Sequence, residues 1–185
     1  MIIFISGGAK NGKTTLGQEL AVKLAGGANH YYVATMIPAD GEDRERIRRH
    51  IEDREGMGFE TIEIGRNIMS YLDGADCEGT FLLDSVTALI LNELFPDPLS
   101  CEMDVAAAEK CAEDIAAFAA SVKDAVIISD YIYSDAARYD EVTETYRRCL
   151  ANADRKVAAI SDVVIEVSAG NYIIHKGETL ILLKR

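Results

Sequence analysis

The residues best suited to chemistry are Gly7-Gly8-Ala9-Lys10-Asn11-Gly12-Lys13-Thr14, directly after the apolar run Ile2-Ile3-Phe4-Ile5. They fit G-x-x-x-x-G-K-[S/T] in every fixed position. Gly7 and Gly12 permit backbone conformations and close approaches that a Cβ would block. The loop N–H groups and the start of the following helix then form a concave, electropositive nest for phosphate oxygens. In such a loop Lys13 reaches the β/γ-phosphates and the Thr14 hydroxyl ligates Mg²⁺. The pattern predicts a nucleoside triphosphate site, against the plainer reading of a structural glycine-rich turn.

Asp84 closes the apolar run Thr80-Phe81-Leu82-Leu83. A carboxylate at the carboxyl end of a strand downstream of a phosphate loop is where such folds place the acid that accompanies Mg²⁺. Asp84-Ser85 also precedes an apolar helical pattern, so a helix cap is the competing role.

A third candidate is the charged run from Asp43 to Arg54, which holds five arginines in a chain of net charge −12. On a helix Arg46, His50 and Arg54 share one face, with Ile47 and Ile51 on an adjacent stripe able to anchor it. Charge runs usually reflect i,i+4 pairing on a solvated surface. A histidine among phosphate-binding arginines can instead act as an acid/base or as a nucleophile toward phosphorus. His30 and His175 fall on strands without acidic or Cys partners nearby and read as structural. Glu60 and Glu63 point to opposite faces of their strand, so at most one meets a site. Tyr131, Tyr133 and Tyr139 cluster after another apolar strand, where they either line a pocket or pack.

The elements that must position these residues alternate along the chain. Strands are predicted at 1–6, 30–35, 59–64, 80–84, 125–129 and 163–167, with an antiparallel edge at 172–175 and a last edge strand over 180–183. Helices are predicted at 15–25, from the Asp40-Gly41 turn to about Glu55, and at 67–72, 86–95, 104–122 and 137–160. The alternation predicts an α/β fold, a mostly parallel sheet with helices on both faces and a C-terminal antiparallel edge. Residues 1–185 read as one domain, without linker or repeat.

Composition bounds the rest. A chain of 185 residues that is 49% hydrophobic and 27% charged is ordinary for a soluble globular protein. The acidic balance argues against a nucleic-acid or anionic-membrane surface. No apolar run approaches the ~20 residues needed to span a bilayer. Cys77, Cys101, Cys111 and Cys149 show no C-x-x-C pair and no ligand spacing. With no basic leader in front of the first strand, they read as free thiols of a cytoplasmic protein.

Taken together, these motifs resemble the bifunctional adenosylcobinamide kinase / adenosylcobinamide-phosphate guanylyltransferase family of cobalamin biosynthesis. The resemblance runs nearly end to end. It rests on Phe4–Thr14 with its Gly-Gly-Ala start, on Tyr32-Val33-Ala34-Thr35, and on Arg46-Ile47-x-x-His50-x-x-x-Arg54. Leu82-Leu83-Asp84-Ser85-Val86-Thr87, followed by Asn92-Glu93-Leu94, completes it.

The resemblance implies a RecA-like P-loop fold and a homo-oligomer, often a trimer. It implies that His50 takes GMP covalently from GTP and passes it to the phosphate of a corrinoid substrate. The loop residues, Lys13 among them, would bind GTP, or ATP in the kinase step. Arg46 lies on the family's diagnostic helix, and Thr35, Arg54, Glu63 and Asp84 would lie near the nucleotide.

The chain departs from the family's pattern on the substrate side. Asp130-Tyr131-Ile132-Tyr133 stands where the family usually reads Asn-Glu-Val-Gly, and Asp154-Arg155 where it carries Asn-Gln. A small-molecule kinase without guanylylation, or a nucleotide-binding regulatory module, are the alternative readings.

Overall fold

The computed structural model describes residues 1–72, 76–97, 99–100 and 102–177. Its centre is a seven-stranded sheet. The strands are β1 (Ile2–Gly7), β2 (His30–Ala34), β3 (Glu60–Glu63), β4 (Thr80–Asp84), β5 (Asp124–Asp130), β6 (Val163–Ser168) and β7 (Asn171–Lys176). They lie in the order β3-β2-β4-β5-β1-β6-β7, all parallel except β7, which runs antiparallel to β6. The predicted α/β alternation and antiparallel edge are both present. The strand expected over 180–183 lies outside the described residues, as does Cys101.

The helices are α1 (Lys13–Ala25), α2 (Gly41–Asp53), α3 (Val86–Leu94), α4 (Val105–Ser121) and α5 (Glu141–Ile160), with a 3-10 turn at Ile68–Leu72. Successive residues of a strand face opposite sides of the sheet, and both sides are covered, so the strands read as continuous apolar runs. In β1, Phe4 faces a core built with Leu89, Ile115, Phe118 and Leu150 of α3, α4 and α5. Its neighbours Ile3 and Ile5 face the other core, with Ala21 of α1.

Helix starts follow side-chain caps. Asp40, Ser85, Asp104 and Asp140 accept from the backbone N–H three residues on, in α2, α3, α4 and α5 respectively. Each such cap contributes about 1 kcal/mol. The cap at Asp140 corrects the predicted start of the last helix at 137. There Glu144 also accepts from Tyr139 N–H, and Arg147 ties the preceding loop to α5 through Asp135 at 3.1 Å. The stretch 131–140 is therefore an ordered connection, not helix.

One helix lacks a buried face. No residue of α2 is buried, and Ile51 is 49% exposed. The isoleucine stripe does not anchor this helix to the core, contrary to the pattern-based expectation. A helix so polar is held by its cap, by its internal ion pairs and by its carboxyl-terminal arginine.

Beneath the carboxyl end of β5, Asp154 of α5 is 3% exposed. Its Oδ2 accepts from Tyr133 Oη at 2.7 Å, while Oδ1 has no partner among the described residues. Burial pushes its carboxyl up to about 6, with Asp130 adding to the effect against the hydroxyls of Ser129 and Tyr133. A carboxyl whose folded pKa is raised binds its proton more readily in the folded than in the unfolded chain. Its stability contribution is therefore present at low pH and is lost as pH rises from about 4 to above 6, by about 3 kcal/mol. Asp154→Asn is expected to remove that loss, so denaturant midpoints of mutant and parent diverge above pH 6 and converge near pH 4.

Candidate nucleotide site

The loop between β1 and α1 shows why two of its glycines are required. A Cβ on Gly7 would stand 2.3 Å from the Val167 carbonyl oxygen of β6, so only glycine allows that strand to pass. Gly12 sits at φ 90° as the residue before α1, a left-handed conformation that glycine adopts without strain. Lys13 then opens α1, and the N-terminus of that helix faces the loop, as an anion site needs.

Lys13 is 4% exposed. Its ammonium donates to the Gly8 carbonyl at 2.6 Å and lies 2.5 Å from Asp130 Oδ1 at the end of β5. The lysine is folded back across its own loop and paired with a carboxylate.

Asp84 ends β4 beside the loop. Its Oδ2 accepts from Thr14 Oγ1 at 3.0 Å and from Tyr32 Oη at 2.8 Å. Ser85, not Asp84, caps α3, so the competing cap role predicted for Asp84 falls on its neighbour. Thr14 and Asp84 together present two hard oxygen donors at the mouth of the loop, which suits Mg²⁺. No cluster of three His, Cys, Asp or Glu side chains able to hold a metal occurs among the described residues. Two donors are enough where substrate phosphates and water complete the shell.

Tyr32 enters the sequence reading only as a strand position, yet it joins the two halves of the site. Its ring lies under the Arg54 guanidinium at 4.2 Å, a cation–π contact, while its hydroxyl holds Asp84. Burial pushes the phenol far above its ordinary range, with the Asp84 carboxylate adding to the effect, so it remains a donor. Arg54 is 8% exposed and donates to the His50 carbonyl at 2.6 Å and to Thr61 Oγ1 at 3.0 Å. The arginine thus fastens the end of α2 to β3 and to Tyr32.

A cleft of about 880 Å³ runs from the loop to α2. Arg46, His50 and Arg54 all line it, as their spacing on one helix face requires. Of the other arginines, Arg48 pairs with Glu45 and Glu52 and Arg49 with Glu45, the ordinary surface pairing. Arg48 holds the Glu45 carboxyl down to about 2. Arg46 makes no ion pair among the described residues. The His50 ring is half-buried, and its Nδ1 is shielded without a hydrogen-bond partner among the described residues.

The remaining candidates are spread around this cleft. Ala9, Lys10, Asn11 and Gly12 line it, whereas Gly7, the last residue of β1, and Gly8 do not. Glu63 lines it from the exposed end of β3. Thr35 also lines it but is fully buried, with its hydroxyl committed to the Ser85 backbone, donating to the carbonyl at 2.9 Å and accepting from the N–H at 2.6 Å.

Tyr131, Tyr133 and Tyr139 are not among the lining residues. Tyr133 serves Asp154, and Tyr139 lies under Arg147. His30 is held between the carbonyls of Ala28 and Met57, a structural role. His175 does have an acidic partner, contrary to expectation: Glu166 lies 2.9 Å away across the β6–β7 ladder, a pairing invisible until the edge strands register.

Sheet order, loop and strand-end carboxylate define a P-loop NTPase-type fold. Solved structures agree on the fold. One described as an ATPase domain aligns with a TM-score of 0.55 at 10% identity, over 95% of this chain and 76% of that one. A Pyrococcus horikoshii protein aligns with a TM-score of 0.54 at 9% identity, over 96% and 86%. Comparison with curated proteins gives no match.

The chain belongs to the CobU family, described as cobinamide kinase / cobinamide phosphate guanyltransferase, which matches over residues 3–174. It is therefore a nucleotide-handling enzyme of cobalamin biosynthesis. No helix among the described residues is long and apolar enough to cross a membrane.

Proposed function

We propose that this chain, as a single RecA-like domain, carries out both reactions named by its family. It would phosphorylate the alcohol of adenosylcobinamide with ATP or GTP, then guanylylate the resulting phosphate through a covalent His50–GMP intermediate. The observation that carries this reading is the shared cleft: the phosphate loop, Asp84 and the Arg46–His50–Arg54 face all line one space.

In the first reaction the loop N–H groups and Lys13 hold the triphosphate and offset the charge that develops on the transferred group. Thr14 and Asp84 would hold Mg²⁺, which when bound neutralises phosphate charge. Tyr32 keeps the Asp84 carboxylate turned toward Thr14.

In the second reaction a His50 ring nitrogen attacks the α-phosphorus of GTP. The N–P bond forms, the bond from α-phosphorus to the bridging oxygen breaks, and pyrophosphate leaves with the bonding pair. An oxygen of the corrinoid phosphate then attacks the same phosphorus, and the N–P bond breaks to restore His50. One difficult transfer becomes two easier ones. With Nδ1 shielded, Nε2 is the nitrogen available to react. Arg46 has no competing ion pair among the described residues and would meet phosphate oxygens, while Glu63 and Thr35 border the nucleotide. Arg54 would act mainly by fixing the end of α2.

A homo-oligomer, a trimer by family resemblance, fits a helix α2 that buries none of its own residues, and the protein would work in the cytoplasm. Incubation with cobinamide, GTP and Mg²⁺ tests the whole reading by mass spectrometry. Both phosphocobinamide and GDP-cobinamide are expected. Phosphocobinamide alone would leave only the kinase, and nucleotide binding without any corrinoid product would indicate a regulatory module.

A further inference from the structure

Tyr32 is 4% exposed, and the two ends of its side chain meet different halves of the cleft. The steps above use only its bond to Asp84. On the sheet Tyr32 lies opposite Thr61 of β3 and Leu82 of β4, so these three side chains share one face. Asp84 follows Leu82 by two residues and shares that face, with its Oδ2 2.8 Å from the Tyr32 hydroxyl. The ring stands edge-on to Phe59, with centroids 6.1 Å apart. Over it lies the Arg54 guanidinium at 4.2 Å, which also donates to Thr61 Oγ1 and to the His50 carbonyl.

These contacts matter because α2 has little else to hold it. None of its residues is buried, and its ion pairs among the described residues stay within the helix. The Asp40 cap at its amino end is local to the helix. Its carboxyl end is set by Arg54, and Arg54 rests on Thr61 and on the Tyr32 ring. Thr61 offers one hydrogen bond. The ring offers its face to a guanidinium that is 8% exposed, where little water competes for the cation. His50 stands one helical turn before Arg54 on the same face, so its position follows that of the arginine.

The hydroxyl does a separate job. Asp84 accepts from Thr14 and from Tyr32 with the same oxygen, Oδ2, which fixes how the carboxylate is turned. A group that holds a metal-ligating side chain in this way typically governs metal affinity by about 10–100-fold. Phenylalanine at position 32 would keep the buried ring and lose this bond. An aliphatic residue would lose both contacts.

We propose that Tyr32 is a positioning residue for both reactions and divides the task within one side chain: its hydroxyl sets the Asp84 carboxylate, and its ring sets the helix that carries His50. The hydroxyl half rests on the proposed role of Asp84 as the acid beside Mg²⁺. The ring half rests on the contacts of α2, and its consequence for guanylylation rests on the proposed role of His50.

The test compares the full chain with Tyr32→Phe and Tyr32→Leu. Calorimetry measures the affinity of a non-hydrolysable GTP analogue with and without Mg²⁺. Mass spectrometry follows amide hydrogen exchange over residues 41–54 in the free protein, and phosphocobinamide and GDP-cobinamide formation. In Tyr32→Phe the gain in analogue affinity from Mg²⁺ should shrink by about tenfold or more, with exchange in α2 as in the parent. In Tyr32→Leu the same gain should shrink, and α2 should exchange faster by a factor on the order of ten. Displacement of His50 should also lower GDP-cobinamide formation about tenfold or more beyond any loss of phosphocobinamide formation. If the leucine variant does not melt cooperatively, Tyr32→Met takes its place.

A Tyr32→Phe protein whose response to Mg²⁺ stays within about twofold of the parent overturns the hydroxyl's role. A leucine variant with parental exchange in α2 overturns the ring's role. A phenylalanine variant that loosens α2 as much as leucine does overturns the division between them. A parent whose analogue affinity ignores Mg²⁺ removes the metal reading of Asp84 and the hydroxyl's role with it, while the exchange result still decides the ring. A parent that responds to Mg²⁺ alongside an equally responsive phenylalanine variant removes only the role of the hydroxyl.

Discussion

Lys13→Ala is expected to lower phosphoryl transfer by about 10²–10³-fold in kcat, the usual effect of deleting one preorganised group that stabilises transition-state charge. The structure adds a second consequence. In the parent the Lys13 ammonium neutralises Asp130 at 2.5 Å. Deleting it leaves that carboxylate uncompensated in a cleft meant for a polyanion, so nucleotide affinity should fall along with kcat. The double variant Lys13→Ala/Asp130→Asn separates the two effects. It should recover nucleotide affinity, measured by calorimetry, without recovering turnover. The two carboxylates flanking the loop therefore have opposite relations to the nucleotide: Asp84 would hold its metal, and Asp130 must be displaced from its lysine.

His50→Ala is expected to abolish guanylyl transfer, by a factor on the order of 10⁴ or more, as loss of a covalent nucleophile does. Phosphocobinamide formation should continue, because the phosphate loop and Asp84 are untouched. The variant is also informative because α2 buries none of its residues. Surface substitutions of this kind usually change stability by less than about 0.5 kcal/mol. A lost reaction then reports lost chemistry and not a lost fold. Arg54→Ala makes the contrasting case. It removes the hydrogen bonds to His50 O and Thr61 together with the contact on Tyr32, so it should disturb both reactions at once.

How much of this is legible in the sequence depends on whether the signal is local. The loop, the Arg46–His50–Arg54 face and Asp84 are each written in a short run of residues. Their geometry follows from helix period or strand end alone. The α/β alternation is legible for the same reason, since buried parallel strands read as apolar runs between caps and glycines.

What escapes depends on contacts between segments far apart in the chain. Tyr32 looks like one more apolar position of β2 until β4 places Asp84 against its hydroxyl. Asp130 carries the same signal as Asp84, a carboxylate closing an apolar strand. Its meaning nonetheless requires the β1–β5 register that sets it opposite Gly7. The buried state of Asp154 requires α5 to pack against α3, α4 and β1. The isoleucine stripe of α2 misleads because periodicity records which residues could share a face, not whether anything covers it.

The cleft is expected to bring the α-phosphorus of GTP to His50, and labelling tests this most directly. The protein is incubated with Mg²⁺ and GTP labelled at either the α- or the γ-phosphate, then denatured. Label is expected from the α-position only, acid-labile and stable to alkali, absent in His50→Ala, and discharged by phosphocobinamide. A parent protein that takes no α-label, or a His50→Ala variant that keeps it, would contradict the account.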